Sequence, residues 1–237
     1  MFGLRLTAKD IALVTCFTAL YAVFYSLPMF PIIGLSGAAI TAAAIMAPVT
    51  GMLLGPLLGT LSALLGGVVV FFMGHFSPLS LVATSIAAFC AGLLYIGRRK
   101  VCALLYFLLL VLFGFYPQVG PFWLYPLLTW FQVIVFLVLL SPLYPVAFKK
   151  LRNFTDGKAM FPSFFIISLI ATLAGQIAGS LTFEIVFWPG FIQEIDAWTT
   201  IWKVVTWIYP VERIITALSS TIIGIPLFKA LKAANLI

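Results

Sequence analysis

The sequence predicts an all-α fold, a polytopic bundle of transmembrane helices that forms one domain over residues 1–237. Hydrophobic residues make up 64% of the chain and charged residues only 8%, too few to cover the surface of a soluble domain. Several apolar runs reach the length of about 20 residues that a membrane helix needs. Basic residues cluster between these runs, where the positive-inside rule places cytoplasmic segments. We therefore expect a multi-pass protein of the cell membrane.

The predicted helices fall into three groups along the chain. Four helices occupy residues 1–97, an extra apolar hairpin occupies 101–148, and the last two helices, with an outer lid at 188–206, occupy 161–237. The expected helix bounds are about 10–29, 36–52, 56–73, 79–96, 101–116, 123–147, 161–187 and 207–230. About eight crossings would put every basic cluster and both termini in the cytoplasm. If one short segment is re-entrant, the chain would cross the membrane six or seven times, and this alternative remains open.

A glycine-rich stretch, APVTGMLLGPLLGTLSALLGG, begins at Ala47 and separates the second predicted helix from the third. Glycine commonly ends helices and proline commonly starts them, so Gly55-Pro56 predicts a tight turn within Gly51–Pro56. Small residues recur at helical spacing through the stretch, which allows helix backbones to approach closely. The sequence therefore predicts a helical hairpin with a small-residue face.

Polar residues recur at four-residue intervals in the helix predicted at 161–187, so they line one face. They are Ser168, Thr172, Gln176, Ser180 and Glu184. Charges inside membrane segments cost about 2.5–3.5 kcal/mol each and are usually paired. We therefore expect this face to pack against the last helix, with Arg213 near Glu184 or Glu212. The pair is either a structural ion pair or part of an outward-facing pocket.

The pocket interpretation predicts a substrate-binding site at the outer ends of the last two helices. Its predicted residues are Gln176, Glu184, Trp188, Trp198, Trp202, Glu212 and Arg213. A mostly apolar site with a few convergent polar groups is usual for small molecules, although the tryptophans could equally form an aromatic belt. The acidic groups favour a substrate with a positive or hydrogen-bond-donating part, whereas Arg213 favours a carboxylate or phosphate. Both options stay open at this point.

Catalytic motifs are weak in this sequence. The string Gly34-Leu35-Ser36-Gly37 matches the GxSG string of rhomboid intramembrane proteases, and His75 is the single histidine, but the rest of that pattern is absent. There is no phosphate-binding loop and no metal-spaced cluster, and the three cysteines have no CxxC spacing. We therefore expect no enzymatic activity, no cofactor, no metal and no nucleic-acid partner.

The glycine-rich stretch resembles the hairpin between the second and third helices of the substrate-binding (S) components of energy-coupling-factor transporters. A row of small residues in the first helix is similar to that family's alanine motif, and the ending GIPLFKALK is also similar. The row consists of Ala8, Ala12, Thr15, Cys16 and Ala19. The extra hairpin at 101–148 departs from the family, which usually has six helices.

The resemblance implies a non-enzymatic subunit that binds a vitamin-like micronutrient in an outward pocket. It also implies that the small-residue row docks on a transmembrane coupling protein, which is energised by two ABC ATPases. Two other classes remain open. A stand-alone secondary transporter would have a polar site at the membrane midplane, and a membrane scaffold would use the polar faces to hold subunits together.

Overall fold

The computed structural model describes residues 7–74, 77–153 and 157–236. Its helices are α1 (Ala8–Tyr25), α2 (Ala43–Phe72), α3 (Pro78–Tyr95), α4 (Arg99–Gly114), α5 (Pro121–Leu124), α6 (Trp130–Leu140), α7 (Leu143–Asn153), α8 (Gly157–Phe187) and α9 (Ile195–Ala233). A 3-10 turn, Pro126–Thr129, precedes α6. Strands β1 (Pro28–Pro31) and β2 (Ala39–Thr41) pair as an antiparallel hairpin. The helical fold is confirmed, with one small sheet that the prediction lacked.

Within the described residues, five helices are long and apolar enough to cross a membrane, namely α1, α2, α3, α8 and α9. The segment from Pro126 to Leu140 and the following α7 segment would add a sixth span if counted together, although they are bent by 62° at the break. These helices fit a multi-pass membrane protein. His75 of the protease-like pair lies outside the described residues, and Ser36 is exposed in the turn between β1 and β2.

Helix α2 is broken at Gly55, which has a φ of 79° and a ψ of 178°. A Cβ atom built on Gly59 would lie 2.8 Å from the Cα of Gly51. Residues eight apart are about 12 Å apart along a straight helix. The chain therefore folds back at the predicted position, and α2 consists of a first arm, 43–54, and a second arm, 56–72.

The conformation of Gly55 gives the first prediction, for Gly55→Ala. Its φ and ψ lie in a region that is essentially limited to glycine, and occupying it with another residue costs about 1–3 kcal/mol. Nothing lies within 4 Å of a Cβ at Gly55, so the cost comes from the backbone alone. We expect the melting temperature of Gly55→Ala to fall by about 2–4 °C for each kcal/mol of lost stability.

Gly190→Ala is the matched control for this change. Gly190 has no positive φ, and nothing lies within 4 Å of its built Cβ. Equal melting temperatures for the two variants would contradict the backbone conformation assigned to Gly55.

The second arm runs parallel to α1 and antiparallel to α3. Thr18 of α1 donates a hydrogen bond to the carbonyl of Ser62 at 3.3 Å, and Gly66 lies against the ring of Tyr21. On the other side, Gly67 contacts Leu81 and Gly92 contacts Pro56. Consecutive elements along the chain, namely α1, the first arm, the second arm and α3, therefore alternate in direction.

The first arm lies in the centre of the bundle, beside α9. Ser220 donates a hydrogen bond to the carbonyl of Ile45 at 2.7 Å, and Gly224 lies close to Val49. Ile45 and Val49 are buried. The first arm is therefore parallel to α9 and forms part of the core.

Basic residues gather at one end of the bundle, which we call the basic end. Lys9 donates a hydrogen bond to the carbonyl of Asn235 at 3.3 Å, and the rings of Tyr95 and Phe228 pack edge to face. Arg99 donates to the carbonyl of Leu139 at 2.8 Å. These contacts join the start of α1 and the end of α9 to the α3–α4 and α6–α7 connections. The opposite end, which holds the β-hairpin and the start of α9, is the distal end.

The last helix begins earlier than predicted, within the segment 188–206 that was expected to form the outer lid. The connection after α8 covers only residues 188–194, and α9 continues from Ile195 through Pro210. Proline favours the first position of a helix, which suggested a start there. Membrane helices tolerate interior prolines where neighbouring groups satisfy the freed backbone. At 39 residues, α9 is about 58 Å long and exceeds the thickness of about 30 Å of the hydrocarbon core.

Two other predicted bounds also differ. The second helix begins at Ala43 rather than near residue 36, because the preceding residues pair as the β-hairpin. The second helix of the 101–148 hairpin is split into α6 and α7, which are separated at Ser141-Pro142. The segment before Pro142 cannot continue as a regular helix into proline without losing a hydrogen bond. The apolar hairpin predicted at 101–148 therefore consists of α4 followed by α6 and α7, which are bent relative to each other.

Candidate functional site

A cavity of about 80 Å³ lies at the distal end, between the β-hairpin, α3, α8 and α9. Apolar walls come from the hairpin residues Ile32, Ile33 and Ile40, together with Leu79 and Phe183. Polar groups complete the lining, namely Thr41, Ser80, Thr84, Gln176, Ser180, Tyr209 and Arg213. The combination of apolar walls and a few convergent polar groups is typical of a small-molecule site.

Arg213 is the charged residue of this lining. Its Nη2 donates to the Oε2 of Glu212 at 3.0 Å, and both side chains are about 95% buried, with 6% and 5% exposed. Its guanidinium also lies 6.0 Å from the centre of the Tyr209 ring. The prediction that Arg213 lies near Glu184 or Glu212 is confirmed for Glu212. The Nε of Arg213 has no hydrogen-bond partner in the described structure.

Gln176 is held in place by a buried polar network. Gln132 of α6 donates from Nε2 to the Oε1 of Gln176 at 3.0 Å, and Gln176 donates from Nε2 to the Oγ of Ser180 at 3.0 Å. Tyr106 of α4 donates to the carbonyl of Gln132 at 2.9 Å. The network connects the cavity wall on α8 to α6 and α4. It therefore gives the extra hairpin a direct role in orienting the site.

Glu184 lies outside this cavity lining. Its side chain is fully buried, and neither carboxylate oxygen has a hydrogen-bond partner within the described residues. The backbone carbonyl of Glu184 accepts from the N–H of Trp188 at 2.9 Å. Glu184 is therefore a buried carboxyl in the same part of the bundle but not a wall of the cavity.

The predicted tryptophans pack into the core and do not line the cavity. Trp198 and Trp202 are fully buried, and their indole N–H groups donate to the carbonyls of Ile192 and Val119. Trp188 is half-buried and contacts the ring of Trp198 edge to face. Because the buried indole N–H groups already have partners, these rings serve packing between α8, α9 and the 115–125 segment.

Several lining residues were absent from the predicted site. Ile32, Ile33, Ile40 and Thr41 come from the segment expected to be a loop and the start of a helix. Ile40 and Thr41 belong to β2, whereas Ile32 and Ile33 follow β1 in the connecting turn, and the two strands are only four and three residues long. Strands this short are difficult to predict from sequence, so these lining residues were missed.

A second cavity of about 390 Å³ lies beside the first at the distal end. It is lined by the end of α1, the β-hairpin and the start of α3, including Tyr25, Pro28 and Ser77. Thr41 lines both cavities. Ligand pockets commonly measure about 300–1,000 Å³. Thr41 therefore stands between the small polar cavity and a larger space at the same end of the bundle.

The predicted docking row on α1 faces away from the bundle. Ala8, Ala12, Thr15, Cys16 and Ala19 are all exposed, whereas Val14, Phe17 and Tyr21 on the other face are buried. The row is therefore free to contact lipid or another membrane protein. No group of three or more metal-ligating side chains occurs in the described ranges.

No protein family, curated protein or solved structure matches this chain.

Proposed function

We propose that this chain is the substrate-binding membrane subunit of an uptake transporter for a small, vitamin-like micronutrient. The observation that carries the proposal is the distal cavity, where Arg213, Gln176 and Ser180 converge beneath the β-hairpin. Buried polar groups are costly in a membrane protein and usually mark a substrate path or a binding site. The polar groups here come from β2, α3, α8 and α9, so the site depends on the folded bundle.

The proposed topology has about eight crossings with both termini in the cytoplasm. The two arms of α2 would cross separately, and the bent α6–α7 segment would form one crossing. The basic end would then be cytoplasmic under the positive-inside rule. The cavity would open toward the outside, as an uptake subunit requires.

The proposed partners are a transmembrane coupling protein and two ABC ATPases. The sequence contains no phosphate-binding loop of its own, so an ATP-driven cycle requires separate ATPases. The exposed small-residue row of α1 would provide the contact with the coupling protein, since small residues allow close helix packing in membranes.

A second candidate, a stand-alone secondary transporter, is favoured by one observation. Ser168 and Thr172 of α8 are buried, and their hydroxyl groups have no partner among the described residues. They follow Gln176 along α8 from the cavity toward the basic end. Such a row could form part of a path through the bundle. Uptake by proteoliposomes that contain this chain alone would favour the second candidate.

Native mass spectrometry of the gently solubilised protein tests the binding-subunit proposal. We expect a stoichiometric small molecule in the wild-type protein and its loss in Arg213→Lys, because lysine keeps the charge but loses the planar donor fork. Lys203→Gln is the matched control, since Lys203 is an exposed cation on the same helix. A clean mass that a panel of vitamins does not shift would contradict the proposal and favour the scaffold.

A further inference from the structure

The charge of the cavity lining limits the chemical classes of ligand that the cavity can bind. Arg213 is the one charged side chain that lines the cavity in the described part of the chain. Glu212 contacts Arg213 but is not a lining residue, and Glu184 is buried elsewhere. A ligand in the cavity therefore contacts a guanidinium whose charge is balanced by Glu212, and it contacts no carboxylate.

Arg213 has at least one hydrogen-bond donor without a partner in the described structure. A guanidinium carries five N–H groups, and one of its nitrogens, Nη2, donates to Glu212. Nε has no partner in the described structure, although the side chain is 94% buried. Leaving a buried charged donor unpaired is costly. An acceptor that reaches Nε would remove that cost.

The other polar groups of the lining are hydroxyls and an amide. Ser180 accepts a hydrogen bond from Gln176, and its hydroxyl group also pairs with the hydroxyl group of Tyr209, so one O–H of this pair can still donate to a ligand. Tyr209 lies beside Arg213 and supplies a second hydroxyl. Together with the guanidinium, these groups form a set of donors on the wall of one cavity. Such a set is complementary to the oxygens of an anion.

A carboxylate fits this set better than a phosphate does. Glu212 already balances the charge of Arg213, so a dianion would leave two uncompensated negative charges in a buried site, and a monoanion leaves one. The planar guanidinium matches a planar carboxylate in a two-point contact. The apolar hairpin residues Ile32, Ile33 and Ile40 would contact a short hydrocarbon body. A cavity of about 80 Å³ favours a short hydrocarbon body over a long acyl chain.

We infer that the distal cavity binds a small soluble monocarboxylate, with its carboxylate on the free N–H groups of Arg213 and its apolar part beneath the β-hairpin. The inference names the substrate class of the proposed binding subunit and rests on that function.

The test is a ligand-observed NMR titration of the full chain in lipid nanodiscs. The probes are butanoate, butanamide and butylamine, which share one skeleton and differ in charge. We expect butanoate to bind at least about tenfold more tightly than either of the other two, because hydrogen bonds to a charged partner are about twice as strong as neutral ones. Empty nanodiscs give the signal caused by partition into lipid.

Variants assign the preference to Arg213. Arg213→Lys should weaken butanoate binding about tenfold and leave butanamide binding unchanged. The double variant Glu212→Gln/Arg213→Gln removes both charges together and should abolish the preference without leaving an unpaired charge. Lys203→Gln should bind all three probes as the wild type does, since Lys203 is exposed and is not a lining residue. Tryptophan fluorescence melts establish that each variant is folded.

Three results would overturn the inference, namely a preference for butylamine, equal affinities for the three probes, or no binding of any probe. Displacement of butanoate by hexadecanoate in the nanodisc would also overturn it, because the acid would then come from the bilayer. Native mass spectrometry tests the proposed function independently of this inference. A retained ligand without an acid group in native mass spectrometry would sustain the binding subunit and reject the carboxylate.

Discussion

Gly51→Ala should destabilise the protein by about 3 kcal/mol or more, which is the upper range for overpacking a well-packed core. A Cβ atom at Gly51 would overlap the carbonyl oxygen of Ala88 and lie 2.8 Å from its carbonyl carbon. These are backbone atoms of α3, so no side-chain rotation can relieve the overlap. The second arm approaches Gly51 from the other side through Gly59. The helices would therefore have to separate.

Thermal and denaturant unfolding of the purified protein measure this effect. Gly190→Ala is again the matched control, because it adds the same methyl group where nothing lies within 4 Å. The double variant Gly51→Ala/Ala88→Gly should be no more stable than Gly51→Ala, since the overlap involves the backbone of residue 88. Rescue by Ala88→Gly, or stability equal to that of Gly190→Ala, would show that α2 and α3 do not pack in this way.

Glu212→Gln should cost about 3 kcal/mol, the usual penalty for removing one partner of a buried ion pair. The change leaves Arg213 charged and buried, with only 6% of its side chain exposed. Among the described residues Glu212 is the one ion-pair partner of Arg213. The unpaired charge, rather than the lost hydrogen bond, should dominate the effect because a neutral glutamine can still accept a hydrogen bond.

A double-mutant cycle separates the two contributions. Glu212→Gln/Arg213→Gln removes the pair as a unit and should recover most of the stability lost in Glu212→Gln. Glu194→Gln is the surface control, since Glu194 is exposed and should change stability little. If the double variant were as unstable as Glu212→Gln, the unpaired charge could not be the cause. The pair would then act through its hydrogen bonds and packing.

Much of the fold could be predicted from local patterns. Apolar runs of membrane length predicted the main helices, because a helix is one of the few structures that satisfies its own backbone in lipid. Gly55-Pro56 predicted the break in α2, because the two residues have opposite preferences at helix ends. The four-residue spacing of the polar face on α8 predicted that Gln176 and Ser180 lie on the same side. Each of these inferences depends on residues close in the chain.

Part of the candidate site could also be predicted, since charges within apolar helices are costly and tend to pair. That rule singled out Arg213 and Glu212, which form the ion pair, and Glu184, which has no partner within the described ranges. The same rule could not tell which of these charges lines a cavity. Nor could composition show that Trp198 and Trp202 point into the core, because an aromatic residue near a helix end suits a membrane interface, a ligand wall or a packing cluster equally well.

Local sequence patterns were enough to predict the helical class, the break at Gly55 and the concentration of charge near Arg213, because these depend on hydrophobicity, on local backbone preference and on the cost of isolated charges. The tertiary structure alone decided that the β-hairpin covers the cavity, that α9 continues through Pro210, and that Arg213 rather than Glu184 lines the cavity. These features depend on contacts between residues far apart in the chain. Such contacts form only when separate helices pack, so no local pattern encodes them.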